Sequence, residues 1–371
     1  LLHDRMYIND GKGHFTKSAN DGLSGFTING QCVVPFDADG DKDSDLFIGG
    51  RLVGGKYPLP ASSKILINQK GHFTDKTKLL APFLDKFGMV TGAVQDDIDK
   101  DGDIDLIVVG EWMTPTVLLN NGVKGFTARP LTVAGAGLWW TIEKGDFDKD
   151  GDTDFLLGNL GWNNKFGGAL ETKLEVYGND FDQNGKFDVV LATTKQDKVL
   201  PVRGRECTSQ ELPFILNKFP TYESYAKASF TDIFSPDMLQ NSTHDKLSTL
   251  SSILLVNEGD GNFTVKKLPS LCQTGPVKAF YADDVNKDGN PDFIYAGNHF
   301  PTEVETARYD GLYPGICFGD GKGNFICKTI FVDHQLRIDD SRDIQKIKLA
   351  TGQDVYLLSN NNGPLRAYEI K

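Results

Sequence analysis

The chain has 371 residues, 39% of them hydrophobic, with 40 glycines and 24 phenylalanines, so a large core is cut by many tight turns. A formal charge of −12 argues against a nucleic-acid or anionic-membrane partner, and no run approaches the roughly 18 apolar residues of a membrane span. Of the 51 acidic residues, 21 lie in five nine-residue loops; five divalent ions there would leave a net charge of about −2, so the acidity reads as a property of metal sites.

Leu1 to Arg5 carry no signal-peptide pattern and run straight into a repeat-like hairpin, Tyr7 to Phe15. The sequence is therefore expected to start inside a repeat, with any leader, anchor or tether upstream. The first acidic loop follows, with Asp37, Asp39, Asp41, Asp43 and Asp45 at alternate positions and the apolar run Leu46-Phe47-Ile48 behind it. Next comes a strand ending in a Gly-rich turn and an aromatic, Leu66 to Phe73, where Asn and Gly supply the positive φ of a short hairpin. His14 and His72 occupy matching turns and are repeat features.

The same pair of signatures returns along the chain. The second loop holds Asp97, Asp99, Asp101, Asp103 and Asp105, followed by Leu106 to Val109 and the hairpin Leu118 to Phe126. The third holds Asp146, Asp148, Asp150, Asp152 and Asp154, followed by Phe155 to Leu157. The fourth, Asp180, Asp182, Asn184, Lys186 and Asp188, and the fifth, Asp284, Asn286, Asp288, Asn290 and Asp292, carry fewer carboxylates and are expected to bind more weakly. The apolar runs are too short for helices and too continuous for half-exposed strands, so they read as strands buried on both faces, as in radially stacked sheets. A stretch at about 200–250 breaks the rhythm. Its aromatics Phe214, Phe219, Tyr222, Tyr225, Phe230 and Phe234 have partly helical spacing, which predicts one or two helices packed on the fold, with a recognition excursion as the alternative. The last unit, Asp343 to Lys371, lacks an acidic loop and is expected to pair with the N-terminal hairpin and close a ring.

Hard oxygen ligands at alternate positions suit calcium, whereas zinc would take His and Cys. Two carboxylates about 4 Å apart repel by roughly 4 kcal/mol at an effective dielectric near 20, so five within nine residues require a cation. Positions 1, 3, 5 and 9 are the expected side-chain ligands. Position 7 varies among Asp, Lys and Asn, which fits use of its backbone carbonyl alone. An EF-hand would need Glu at position 12, but Ile48, Val108, Leu157, Leu191 and Tyr295 stand there. Lys42 replaces the glycine found at position 6 elsewhere, which predicts weaker binding by the first loop.

Other residues carry weaker signals. Cys32, Cys207, Cys272, Cys317 and Cys327 form no CxxC pair; Cys317 and Cys327 flank a turn symmetrically and could bridge a hairpin. Trp139, Trp140 and Trp162 suit either a sugar-stacking platform or core packing. His299, Glu303, Glu305, Arg308 and Asp310 cluster in one polar loop, either as a lyase-like set acting on a uronate polymer or as a salt-bridged loop.

With its Asp-x-Asp-x-Asp-Gly-x-x-Asp loops and the turn Gly319 to Phe325, the sequence resembles the FG-GAP/VCBS repeat proteins, which include the integrin α-chain propeller. Gly158 to Phe166, Phe219 to Tyr222, Asp232 to Phe234 and Arg308 to Asp310 are similar to bacterial surface VCBS-repeat proteins of the ASPIC/UnbV-associated type. The resemblance implies an all-β fold: a single β-propeller over residues 1–371, with seven blades (six as the alternative), a small partly helical insertion and structural calcium. It also implies an extracellular or bacterial cell-surface location. The leading functional expectation is a binding module for a protein or glycan in adhesion, scaffolding or uptake, without catalysis. A polysaccharide-active lyase and a structural spacer within a larger surface protein are the alternatives.

Overall fold

The computed structural model describes residues 4–19, 21–166, 174–195, 198–259, 261–302, 306–330 and 338–369. Short apolar runs punctuated by Gly and Asp make strands, and among the described residues the strands form seven antiparallel sheets. Strands β1 (Tyr7–Asn9) and β2 (Phe15–Lys17) pair as a ribbon. The first full sheet contains β3 (Gly30–Phe36), β4 (Asp45–Gly50), β5 (Lys64–Gln69) and β6 (His72–Asp75). The second contains β7 (Met89–Asp96), β8 (Asp105–Met113), β9 (Thr116–Asn120), β10 (Phe126–Pro130) and the short β11 (Gly137–Leu138).

The third sheet begins with β12 (Thr141–Gly145) and β13 (Asp154–Gly158) and is then interrupted. Strands β14 (Leu174–Asn179), β15 (Asp188–Lys195), β16 (Lys198–Pro201) and β17 (Thr243–Lys246) form a sheet of their own, in the order β16-β15-β14-β17. Only then do β18 (Ile253–Asn257) and β19 (Phe263–Lys267) complete the third sheet, with Phe155 opposite Leu255. The excursion therefore leaves the third sheet at Gly158, well before the expected 200, and the fourth acidic loop belongs to it. The remaining sheets are β20 (Val277–Asp283), β21 (Asp292–Gly297), β22 (Gly315–Gly319) and β23 (Phe325–Thr329), then β24 (Ser341–Lys348), β25 (Asp354–Asn360) and β26 (Arg366–Tyr368).

The fold is all-β and propeller-like. First strands β3, β7, β12, β20 and β24 touch one another in succession. Second strands β4, β8, β13 and β21 are buried on both faces, as where Leu106 and Val108 pack toward the first sheet and Ile107 and Val109 toward the third, whereas β15 and β25 are only partly buried on one face. Leu156 turns the same way toward the sheet of β20 to β23, and Ile294 toward the last. This is the burial expected of the apolar runs after the first, second, third and fifth loops; in the run after the fourth, Val190 is buried but Val189 and Leu191 are only partly so. One of the seven sheets is the insertion and another the two-stranded ribbon, so the expected seven-fold count does not map one blade to one sheet.

Two other expectations differ in detail. Among the described residues no ladder joins β1 and β2 to the last sheet; Met6, Phe26 and Ile28 pack instead on Ile48, Leu66 and Phe73 of the first. In place of one or two helices, five short ones span Arg205–Glu211, Phe214–Lys218, Tyr222–Lys227, Phe230–Ile233 and Pro236–Gln240. Pro213 and Pro220 interrupt the segment, and Thr221, Ser229 and Ser235 each cap a fresh turn. Ile215, Tyr225, Phe230 and Phe234 of these helices bury against Tyr177, Phe181 and Val190 of the inserted sheet.

Candidate functional site

Each acidic loop joins the first strand of a sheet to the second. Positions 4 and 6 are left-handed in all five: Gly40 and Lys42, Lys100 and Gly102, Lys149 and Gly151, Gln183 and Gly185, Lys287 and Gly289. The first loop has the same turn with Gly and Lys exchanged, so Lys42 at φ 71° preserves the backbone path. Lys42→Gly is expected to raise stability by about 0.5–1 kcal/mol, measured by urea unfolding, because a side chain leaves a left-handed position.

The hydrogen bonds repeat with the turn. The position-1 carboxylate accepts the position-6 N–H in all five loops, at 2.8–3.2 Å. The position-5 side-chain oxygen accepts the position-7 N–H at 2.8–2.9 Å. Position 9 does something the sequence did not suggest. Oδ2 of Asp45, Asp105, Asp154, Asp188 and Asp292 accepts the position-2 N–H of its own loop at 2.8–3.1 Å. In four of the five, Oδ1 accepts a second backbone N–H, from Asn68, Asn120, Asn257 or Gly319 at the end of the third strand, at 2.7–2.9 Å. The acidic loop and the Gly-rich hairpin are thus two halves of one device, pinned by a buried aspartate.

Carboxylate oxygens converge to within 4.8 Å in four loops: Asp37, Asp39 and Asp45; Asp97, Asp99 and Asp101; Asp146, Asp148 and Asp154; Asp180, Asp182 and Asp188. Asp41, Asp43, Asp103, Asp105, Asp150 and Asp152 lie in the same loops, outside these closest sets. In the fifth loop Asn286 Nδ2 donates instead to Asp288 Oδ2 at 2.9 Å. Burial, opposed by the backbone donors and reinforced by neighbouring carboxylates, pushes Asp45, Asp105 and Asp188 up to about 6 and Asp154 to about 7. Burial and then the Asp101 and Asp150 charges raise Asp99 and Asp148. Oδ1 of Asp43, Asp97, Asp146 and Asp148 is buried without a donor among the described residues. Buried acceptors crowded by like charge are the arrangement a hard cation satisfies. The residues fit the ion.

Neighbouring loops are also tied to one another. Lys100, at position 4 of the second loop, pairs with Asp152 of the third. Lys149, at position 4 of the third, donates to the Gly289 carbonyl of the fifth at 3.0 Å. Asn120 Nδ2 reaches back to the Ala38 carbonyl of the first at 3.2 Å.

A second constellation lies at the opposite ends of the strands. Second strands β4, β13 and β21 end in Gly50, Gly158 and Gly297, and β8 carries Gly110 three residues before its end; at each a Cβ would meet a backbone carbonyl oxygen at 1.9–2.5 Å. The residues just beyond β4 and at the end of β8 include Arg51, Glu111 and Trp112, and with Trp140 and His299 they line a cavity of about 360 Å³. Leu174, Val189 and Leu191 of the inserted sheet line its other side. Arg51 pairs with Glu111, and Tyr57 Oη donates to Glu111 Oε2 at 3.3 Å. The sequence singled out only Trp140 and His299 here; a recurrent polar residue after a second-strand glycine was the available signal for the rest.

The other expected ligand-binding residues are dispersed. Trp139 is fully buried core. Trp162 donates from Nε1 to Ser251 Oγ at 2.9 Å and does not line the cavity. Arg308 stacks over Phe300 at 4.2 Å and donates to Asp310 Oδ2 at 2.9 Å, so the two satisfy each other on the surface. Glu303 and Glu305 lie outside the described residues. Cys317 and Cys327 face each other across β22 and β23 and are joined as a disulfide.

Residues 97–157, from the first aspartate of the second loop to Leu157 of β13, match the family model of the FG-GAP-like repeat. No curated protein sequence matches the chain. Among solved structures, an Agrocybe aegerita lectin described as recognising non-reducing terminal N-acetylglucosamine aligns at 16% identity and a TM-score of 0.35, over 97% of this chain and 87% of that one. The V. cholerae biofilm matrix protein Bap1 aligns at 9% identity and a TM-score of 0.34, over 96% of this chain and 70% of that one. At these scores neither neighbour's ligand transfers to this chain.

Proposed function

We propose that the chain is an extracellular calcium-loaded propeller that works as a binding module for a protein or glycan, of the kind found in bacterial surface VCBS-repeat proteins. The observation that carries the reading is the repeated convergence of three carboxylates within 4.8 Å, with buried oxygens that have no donor among the described residues. Calcium would be held by side chains at positions 1, 3, 5 and 9 and by the position-7 carbonyl, in the first four loops foremost. The ion supplies charge neutralisation, and the aspartates supply the turn that places it. Two observations support an extracellular setting. The Cys317–Cys327 bridge suits an oxidising compartment, and loops of this type suit millimolar calcium.

Retention on an immobilised panel of glycans and matrix proteins, at about 2 mM calcium and again with excess chelator, tests the module. The expected result is specific retention that falls at least about tenfold on chelation, because losing the ions loosens the loops that hold neighbouring sheets together. Retention that is unchanged by chelator, or absent from every surface, contradicts it; the second outcome favours the spacer reading.

A further inference from the structure

The cavity between the strand ends and the inserted sheet has a feature that the calcium-loop reading does not use. Lys278, at the start of β20, is 8% exposed. Its Nζ lies 3.8 Å from the centre of the Trp140 ring and donates to His299 Nδ1 at 3.0 Å, while the His299 ring stacks on Trp140 at 5.7 Å. Among the described residues no carboxylate pairs with it. Glu111 is committed to Arg51, and Asp340 to Arg342. Burial, with Arg342 next in effect and the Asp340 and Glu111 charges opposing, pushes Lys278 down to about 7, and burial and the Lys278 charge push His299 down to about 4. A buried cation whose only polar partner is a neutral imidazole is costly, and an incoming anion would lower that cost.

The cavity wall offers the donors. A protonated Lys278 can only donate, so opposite it a neutral His299 accepts at Nδ1 and carries its proton on Nε2. Trp140 Nε1 is buried with no acceptor among the described residues. Leu174, Val189 and Leu191 supply an apolar wall opposite, and a volume of about 360 Å³ is of small-ligand size.

We propose that this cavity binds a small organic carboxylate, with its charged end at the Trp140 and His299 N–H groups in front of Lys278 and its apolar body against the inserted sheet. Trp140 and His299 touch the ligand; Lys278 acts through them as a positioning residue. The site faces away from the acidic loops and does not depend on what those loops hold.

Isothermal titration of the whole chain at pH 6.5 and about 2 mM calcium, with benzoate and its neutral analogue benzamide as probes, tests this. Benzoate is expected to bind at least about tenfold more tightly than benzamide. Lys278→Gln is expected to reduce that preference to below about threefold, and Trp140→Phe, which leaves a smaller aromatic ring and removes the N–H, to weaken benzoate about fivefold. Benzoate affinity should also fall about tenfold between pH 6.5 and 9 as Lys278 loses its proton; the charged and titratable groups facing it are Arg51, Glu111, His299, Asp340 and Arg342. Should Lys278→Gln not fold, the Trp140 variant and the pH series decide. Equal affinity for the two probes, a preference that survives Lys278→Gln, or no heat from benzoate at about 20 mM overturns the proposal.

Discussion

Asp105→Ala is expected to destabilise the protein by about 4 kcal/mol whether or not calcium is present. Its two oxygens accept the buried N–H groups of Ile98 and Asn120 at 3.0 and 2.7 Å, and removing them orphans both donors at about 1–3 kcal/mol each. Asp99→Ala, three carboxylates away in the same loop, should behave differently. Asp99 accepts one long bond, from the Asp101 N–H at 3.3 Å, and is itself crowded by the Asp101 charge. Its loss should lower stability only in calcium and be near neutral or slightly stabilising in chelator. Urea unfolding of both variants with and without calcium separates the pin from the ligand. Equal losses for the two in chelator would contradict this division.

In chelator, thermal stability should fall as the pH rises from 5 to 8. Asp45, Asp105 and Asp188 are raised to about 6 and Asp154 to about 7, all above the unfolded carboxylate value, with burial the first cause. A raised folded-state value means that these groups contribute stability when protonated, fully present below about pH 4 and lost as pH climbs through 6 to 7. Calcium reverses the sign by favouring the ionised form, and each site filled at 100 times its dissociation constant adds about 2.7 kcal/mol. The gap in melting temperature between calcium and chelator should therefore widen steadily from pH 5 to 8. A gap that is constant over that range would contradict the account.

Much of this organisation is legible in the residues. Alternating aspartates followed by three or four apolar residues announce a loop and a doubly buried strand, because both patterns are local and recur. What was not legible depends on partners distant in the chain. The pairing of Phe155 with Leu255 places the inserted sheet inside the third one, and nothing near either residue signals it. Position 9 looked like one ligand among several, since its donors at Asn68, Asn120 and Asn257 lie 15 to 103 residues away. Lys42 looked like a defect at position 6, until the left-handed φ at Gly40 and Lys42 showed the same turn with its two special residues exchanged. The cavity in front of Lys278 gathers residues from several sheets and, apart from Trp140 and His299, each is ordinary in its own stretch of sequence.

Calorimetric titration of calcium into the chelator-stripped chain at pH 7.5 bears on the central claim most directly. About four ions should bind, one for each carboxylate cluster, with dissociation constants of roughly 0.1–1 mM, and the melting temperature should rise with occupancy. No binding heat and an unchanged melting temperature up to about 10 mM calcium would show that these aspartates hold their turns without an ion.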